Sequence, residues 1–212
     1  MLVLLAGLFA GITFRGIYPF LSIDDPLPGG ALVVEGWAPD RAMEFVAAEF
    51  RRQHYDKVYV IGGPLDSGAP LSEYQTYAQL GAAVLLKLGL STNDVQAVPA
   101  PHVRKDRTYA AVMSLRDWWR QHGPTPTKVH LISEGPHSRR SRLMMQKALG
   151  KGVAVGVTAA PCAEFDGRDW YRCSAGVRAV ISEGLAYLYA RFLFYPPKEG
   201  LGPTGSEAGR GG

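Results

Sequence analysis

Residues 31–63, "ALVVEGWAPDRAMEFVAAEFRRQHYDKVYVIGG", decide the fold. The block opens on "ALVVEG" (31–36), a short apolar run that ends in a polar turn. "PDRAMEFVAAEFRRQ" (39–53) follows, with Ala42, Phe45, Val46 and Phe50 at a helical period. "KVYVIGG" (57–63) then repeats the strand signal and stops at paired glycines, so the order is strand, helix, strand.

The pattern continues downstream. "SEYQTYAQLGAAVLLKLG" (72–89) reads as a helix, with Ser72 and Gln75 spaced as a capping box and Gly89 as its stop. "VQAVP" (95–99) leads through a basic loop to the helical "RTYAAVMSLRDWWRQHG" (107–123). "KVHLIS" (128–133) precedes a helix opening near His137 and ending at Gly150, and "GVAVGVT" (152–158) supplies a fifth strand. Strands that alternate with helices and are buried on both faces imply a mainly parallel sheet in a three-layer α/β domain. "SAGVRAVISEGLAYLYARFLF" (174–194) reads as a long final helix that covers the sheet or lies against a membrane. No internal repeat is present.

The ends differ from this core. "MLVLLAGLFAGITF" is an uncharged apolar run, and with "RGIYPFLSI" it reaches Ile23, close to the ~20 residues that span a bilayer. Neither basic leader residues nor a small-residue cleavage site is clear, so residues 1–23 read as a single membrane anchor rather than a cleaved signal. The alternative is an apolar helix packed on the domain. Residues 24–195 form the domain, and 196–212, "PPKEGLGPTGSEAGRGG", read as a disordered tail with almost nothing to bury.

With 47% hydrophobic and 20% charged residues, the 212-residue chain has the composition of one well-buried domain. A net charge of +4, with 23 Lys and Arg spread along the chain, favours an anionic ligand or surface. No zinc finger, RNA-binding signature or long basic helix points to nucleic acid. Cys162 and Cys173 lack metal-ligand spacing and a nearby histidine, which argues against a metal; a disulfide and two free thiols both remain open. Walker A, Gly-x-Ser-x-Gly and Gly-x-Gly-x-x-Gly patterns are absent, and no cofactor is named by the sequence.

In a parallel sheet, ligands bind beyond the carboxyl ends of the strands. Glu35, Gly62 with Gly63, the loop 101–108 and Ser133 to Arg140 all fall at that edge. Arg41, the group Arg104, Lys105 and Arg107, and the group His137, Arg139 and Arg140 each crowd the first turn of a helix, where the macrodipole disfavours cations. A phosphate or carboxylate ligand would remove that conflict; pairing with Asp40, Glu44, Asp106 and Glu134 would also do so. His137 and Arg140, three residues apart, share a helical face, which suits a proton donor or acceptor beside an anion holder. Glu35 meets the cationic rim, Glu73 opens its helix, and Ser133 and Thr108 are ligand donors or caps. Gly62 and Gly63 permit close backbone approach or simply turn the chain.

Four blocks, "ALVVEGWAPDRA", "YVIGGPLDSGAPLSEY", "KDRTYAAV" and "LISEGPHSRRS", stand in the order and spacing of the YdcF/SanA/ElyC-like domain, a bacterial family of largely undefined biochemistry. The resemblance covers about residues 31–158. It implies a Rossmann-like domain, a cell-envelope role among anchored members, and a polar signature at Arg41, Gly62, Gly63, Glu73, Thr108, His137 and Arg140. The chain departs from the family at "EGW", where many members have a glycine-rich turn, and at Ser133, where Thr is common.

The resulting expectation is a single-pass, membrane-anchored protein whose extracytoplasmic domain binds a phosphate-bearing small molecule or lipid-linked precursor and hydrolyses or transfers it. Arg41, Arg104 and Arg140 would hold the anion, His137 would be acid or base, and Glu35 or Glu73 would orient water or a hydroxyl. Gly62, Gly63, Thr108 and Ser133 complete the expected ligand contacts. A non-catalytic module binding an anion, a nucleotide or S-adenosylmethionine is the alternative.

Overall fold

The structure, a computed structural model, describes residues 14–196. Five parallel strands form one sheet in the order β3-β2-β1-β4-β5. They are β1 (Ala31–Glu35), β2 (Lys57–Gly62), β3 (Val95–Pro99), β4 (Lys128–Glu134) and β5 (Ala154–Ala160). β1 is central and buried along its whole length, which is why "ALVVE" reads as continuous rather than alternating apolar sequence.

Side-chain alternation along β1 sorts the core into two layers. Leu32 and Val34 face α2 (Asp40–Arg52) and α3 (Tyr77–Lys87), packing with Met43, Val46 and Leu85. Ala31 and Val33 face the opposite way, into a cluster with Val112, Leu115 and Trp119 of α4 (Arg107–His122) and Met145 of α5 (Ser138–Leu149). The chain therefore winds outward from β1 to β3 with helices on one face, crosses back, and continues from β4 to β5 with helices on the other. This is a Rossmann-like α/β fold. Its reversal of strand order lies between β1 and β4, where a crevice opens beyond the strand ends.

Helix α3 begins later than its sequence suggests. Tyr77 N donates to Gly63 O and Leu65 N to Gln75 O, so the chain pairs back on itself after β2 and residues 72–76 precede the helix. The capping box is Thr76 with Gln79; Ser72 instead accepts from Tyr74 N in a local turn. At the other end Gly89 has φ +90, the left-handed geometry that favours glycine after a helix.

Residues 14–21 are helical (α1) and α6 spans Ser174–Leu188, followed by a π turn at Tyr189–Leu193. Neither lies in the two main layers. Leu21 packs with Trp170 and Val180 in a separate cluster, and Ile23 N donates to Ser138 Oγ, so the end of the apolar N-terminal run belongs to the folded unit. The remainder of the expected anchor, 1–13, lies outside the described residues, as does the expected tail apart from Pro196. Among the described residues no helix is long and apolar enough to cross a membrane. Cys162 and Cys173 are free thiols, the latter accepting from Gly176 N at the start of α6.

Candidate functional site

The crevice at the strand ends holds a cleft of about 660 Å³. Glu35, the last residue of β1, enters it from below and is 3% exposed. Burial alone would raise the pKa of this carboxyl, but the charge and hydrogen bond of His137 and the bond from Ser133 outweigh burial and hold it below its usual value. Ser133 donates to Oε2 at 2.8 Å and Ser141 to Oε1 at 3.0 Å. Both serines are buried, on β4 and α5, so the carboxylate has no free oxygen.

His137 closes the short 3₁₀ turn Gly135–His137 between β4 and α5. Its Nε2 is 3.2 Å from Glu35 Oε1 and its Nδ1 is 2.8 Å from Glu183 Oε1 on α6. Burial would lower the pKa of the imidazole; the charge of Glu35 and the hydrogen bonds to Glu183 and Glu35 reverse that and raise it to about 9. At neutral pH the ring is therefore an imidazolium donating from both nitrogens. Trp37, following β1, packs perpendicular to it at 4.8 Å between ring centroids.

Arg140, one turn further along, donates from Nε to Glu183 Oε2 at 2.8 Å and from Nη2 to Oε1 at 3.1 Å. This fork-to-fork pair resembles the strong bidentate geometry of guanidinium and carboxylate. Nη1 donates to Thr108 Oγ1 at 3.3 Å, across to α4. Arg140 Nη2 also lies 2.9 Å from His137 Nδ1; with the ring protonated this is a contact between two donors, tolerated because both bond the same Glu183 oxygen. For Glu183, burial is outweighed by the bonds from His137 and Arg140, and its pKa falls to about 2. Two carboxylates and two cations thus form a closed, neutral tetrad on the cleft floor.

The opposite wall is the loop before α4. Arg107 pairs with Asp66 at 2.8 Å, whereas Arg104 and Lys105 line the cleft, exposed, with no carboxylate partner among the described residues. Asp106 caps this loop with φ 57, the sole left-handed non-glycine residue among those described, and accepts from Tyr189 OH at 3.5 Å. Aspartate tolerates this conformation better than most residues, and such outliers gather at ligand sites.

Gly62 ends β2 and Gly63 follows it on the cleft wall. A side chain at Gly62 would come within 2.8 Å of Tyr77 Cβ and 3.0 Å of Ala78 N, so the close approach it allows is that of α3. At Gly63 the nearest atom would be 3.8 Å away, which leaves room for a methyl group.

Glu35, Gly62, Gly63, Arg104, Thr108, His137 and Arg140 therefore line one cleft, with Ser133 bonded directly beneath. Arg41 and Glu73 do not join them. Arg41, in the first turn of α2, lines a separate surface pocket with Arg15, Cys162 and Arg168; Glu73 is exposed in the excursion before α3. The acids expected to neutralise the first-turn cations are also different: Arg140 uses Glu183 and Arg142 uses Asp25, while Arg139 donates to Phe20 O and lies over its ring. Sequence reasoning missed Glu183 and Ser141. Serine four residues after His137 had a helical signal, and Glu183 is the single acid in "SAGVRAVISEGLAYL", with no cation three or four residues away. Among the described residues no group of three His, Cys, Asp or Glu is arranged to hold a metal ion. The chain matches no family model and no curated protein.

Proposed function

We propose that the cleft binds a phosphate-bearing molecule, held between Arg104 and Lys105 on one wall and Arg140 on the floor, with His137 donating a proton to it. The observation that carries this reading is the ring of His137, held by Glu35 and Glu183 and facing a loop whose two cations have no carboxylate partner among the described residues. Cations left unpaired around a concave site at the carboxyl ends of a parallel sheet suit an anion, and phosphoryl chemistry asks chiefly for positioning and charge stabilisation. Glu35 has a holding role: it fixes and charges His137 rather than binding water. For transfer or hydrolysis the His137 proton would pass to the leaving oxygen, with Glu35 and Glu183 steering the ring.

The resemblance of the four sequence blocks to the YdcF/SanA/ElyC-like family supports an envelope setting, with residues 1–13 extending an anchor and a lipid-linked phosphate as the finer form of the ligand. The test is thermal denaturation in phosphate and in chloride at matched ionic strength. Ligand binding to the native state alone raises stability by RT ln(1 + [L]/Kd), and the excess gain in phosphate should vanish in Arg104→Gln/Lys105→Gln. An undiminished gain in that variant removes the phosphate assignment. Release of phosphate from a panel of monoesters and diesters, lost in His137→Asn, would establish turnover.

A second reading is a binding module without turnover. Both ring nitrogens of His137 are already bonded to carboxylates, so the proton is released only if a ligand displaces one of them. Binding that persists in His137→Asn without any turnover by the native chain would favour it.

A further inference from the structure

The outer face of α6 and its π extension is apolar and is not covered by any of the described residues. Ile181, Leu185, Leu188, Phe192 and Tyr195 are 54%, 65%, 51%, 62% and 81% exposed. Ile181, Leu185 and Leu188 recur at steps of four and three, which places them in one stripe of α6; Phe192 follows in the π turn and Tyr195 lies just beyond it. The inner face of the same helix is occupied: Val180 is in the core cluster with Trp170 and Leu21, and Glu183 is turned into the cleft. Glu183 is also the only acid of α6, so the outward surface carries apolar side chains and the exposed Arg178 and Arg191.

Three occupants fit such a stripe: a bilayer surface, a second copy, or the chain's own N-terminal run. A coiled-coil seam asks for three or four heptads and complementary charges beside it; the helical stripe from Ile181 to Phe192 is under two heptads long and its charged neighbours are arginines. An apolar face with basic residues and no acid is the composition of a helix lying in the lipid interface. The course of the chain points the same way. Residues 1–13, uncharged and apolar, lead into α1, and α1 packs beside α6, with Phe20 edge-on to Tyr187 at 5.5 Å and both Phe14 and Phe20 exposed.

We propose that the exposed face of α6 and the π turn after it, from Ile181 to Phe192, docks on the surface of an anionic lipid bilayer. This goes beyond anchoring by residues 1–23, because it fixes the orientation of the domain: Ala186 and Tyr189, on the same segment, line the cleft, so docking sets the cleft mouth beside the headgroup layer. It does not depend on the chemistry of the cleft.

The test places an environment-sensitive fluorophore on the full chain through Leu185→Cys or Leu188→Cys, with Gln121→Cys, exposed near the end of α4, as control. Cys173→Ser removes the competing thiol and keeps an oxygen at the start of α6; Cys162 is buried, with a pKa pushed up to about 11, and reacts slowly. With phosphatidylcholine–phosphatidylglycerol vesicles, cosedimenting chain should show blue-shifted emission at 185 and 188, quenched by shallow nitroxide lipid, and neither effect at 121. Water-like emission at 185 and 188 in vesicle-bound chain overturns the proposal, as does absence of vesicle binding. A blue shift without vesicles also overturns it, assigning the face to a second copy if it rises with chain concentration and to residues 1–13 if it does not. The phosphate response of the cleft, measured on the same labelled chains, separates this outcome from that of the ligand reading.

Discussion

Raising the pH should dismantle the tetrad through His137. The ring faces Glu35 from β1, Glu183 from α6 and Arg140 from α5, and its pKa is raised from 6.5 to about 9. A folded-state pKa above the unfolded value means that the folded state holds the proton longer, so the stabilisation is complete below pH 6.5 and is lost as pH rises through about 9. The difference corresponds to roughly 3 kcal/mol, and in a domain of this size to a fall in Tm of about 6–12 °C. Other groups act at the borders of this window. His130 is buried with a lowered pKa and destabilises the fold below the window; Cys162, with its pKa near 11, adds a further loss above it. The assay is therefore urea denaturation from pH 6 to 10 of the native chain and His137→Gln, taking the difference between the two curves. That difference should shrink across pH 6.5–9, while the imidazole carbon resonances of His137 titrate near 9. A flat difference, or a ring that titrates at or below its ordinary value, would refute the double-carboxylate clamp.

Glu183→Gln leaves His137 and Arg140 with a neutral acceptor, and should move the titration of His137 toward neutrality and cost about 3–5 kcal/mol, read by the same titration and denaturation. Conversely, the Glu183 contribution, present above pH 4.5, is lost as pH falls toward about 2, which acid denaturation of native chain and variant would compare. Ser141→Ala and Ser133→Ala each remove a hydrogen bond to the buried Glu35 carboxylate and should cost about 1.5–3 kcal/mol, measured by urea midpoints. Gly62→Ala forces a methyl group against the start of α3 and should destabilise by about 1–3 kcal/mol. Gly63→Ala should stay within about 0.5 kcal/mol, and equal losses at the two positions would contradict the packing assigned to them.

Strands and helices were legible because their signals are local. β3 coincides with "VQAVP", and β1 shows the uninterrupted apolar run of a strand covered on both sides. The start of α3 was not legible in the same way: Ser72 and Gln75 carry a valid capping spacing, but backbone pairing of the excursion to Gly63 moves the helix start to Thr76. At the cleft, Glu35, Gly62, Gly63, Ser133 and His137 were legible, since topology brings strand ends and the turns after them together, whereas Trp37, in the turn after β1, carried no signal that set it apart. Glu183 was not, because it lies 46 residues beyond His137 on a helix outside the alternating units, and only tertiary packing of α6 brings it there.

The placement of Glu183 explains why His137 and Arg140 stand at the start of a helix whose dipole repels them. α5 has no acid in its first turn and no side-chain cap, so its N-terminus contributes positive potential where two cations already sit. Glu35 alone could neutralise one of them. The second acid has to come from an element that reaches the N-terminus of α5 from outside the sheet, and α6 does so while bonding both cations through one carboxylate. The order of the cleft floor is thus tied to the docking of α6 on the domain. Displacing α6 would leave His137 and Arg140 facing Arg104 and Lys105 with one buried carboxylate among them, an arrangement that only a bound anion could hold.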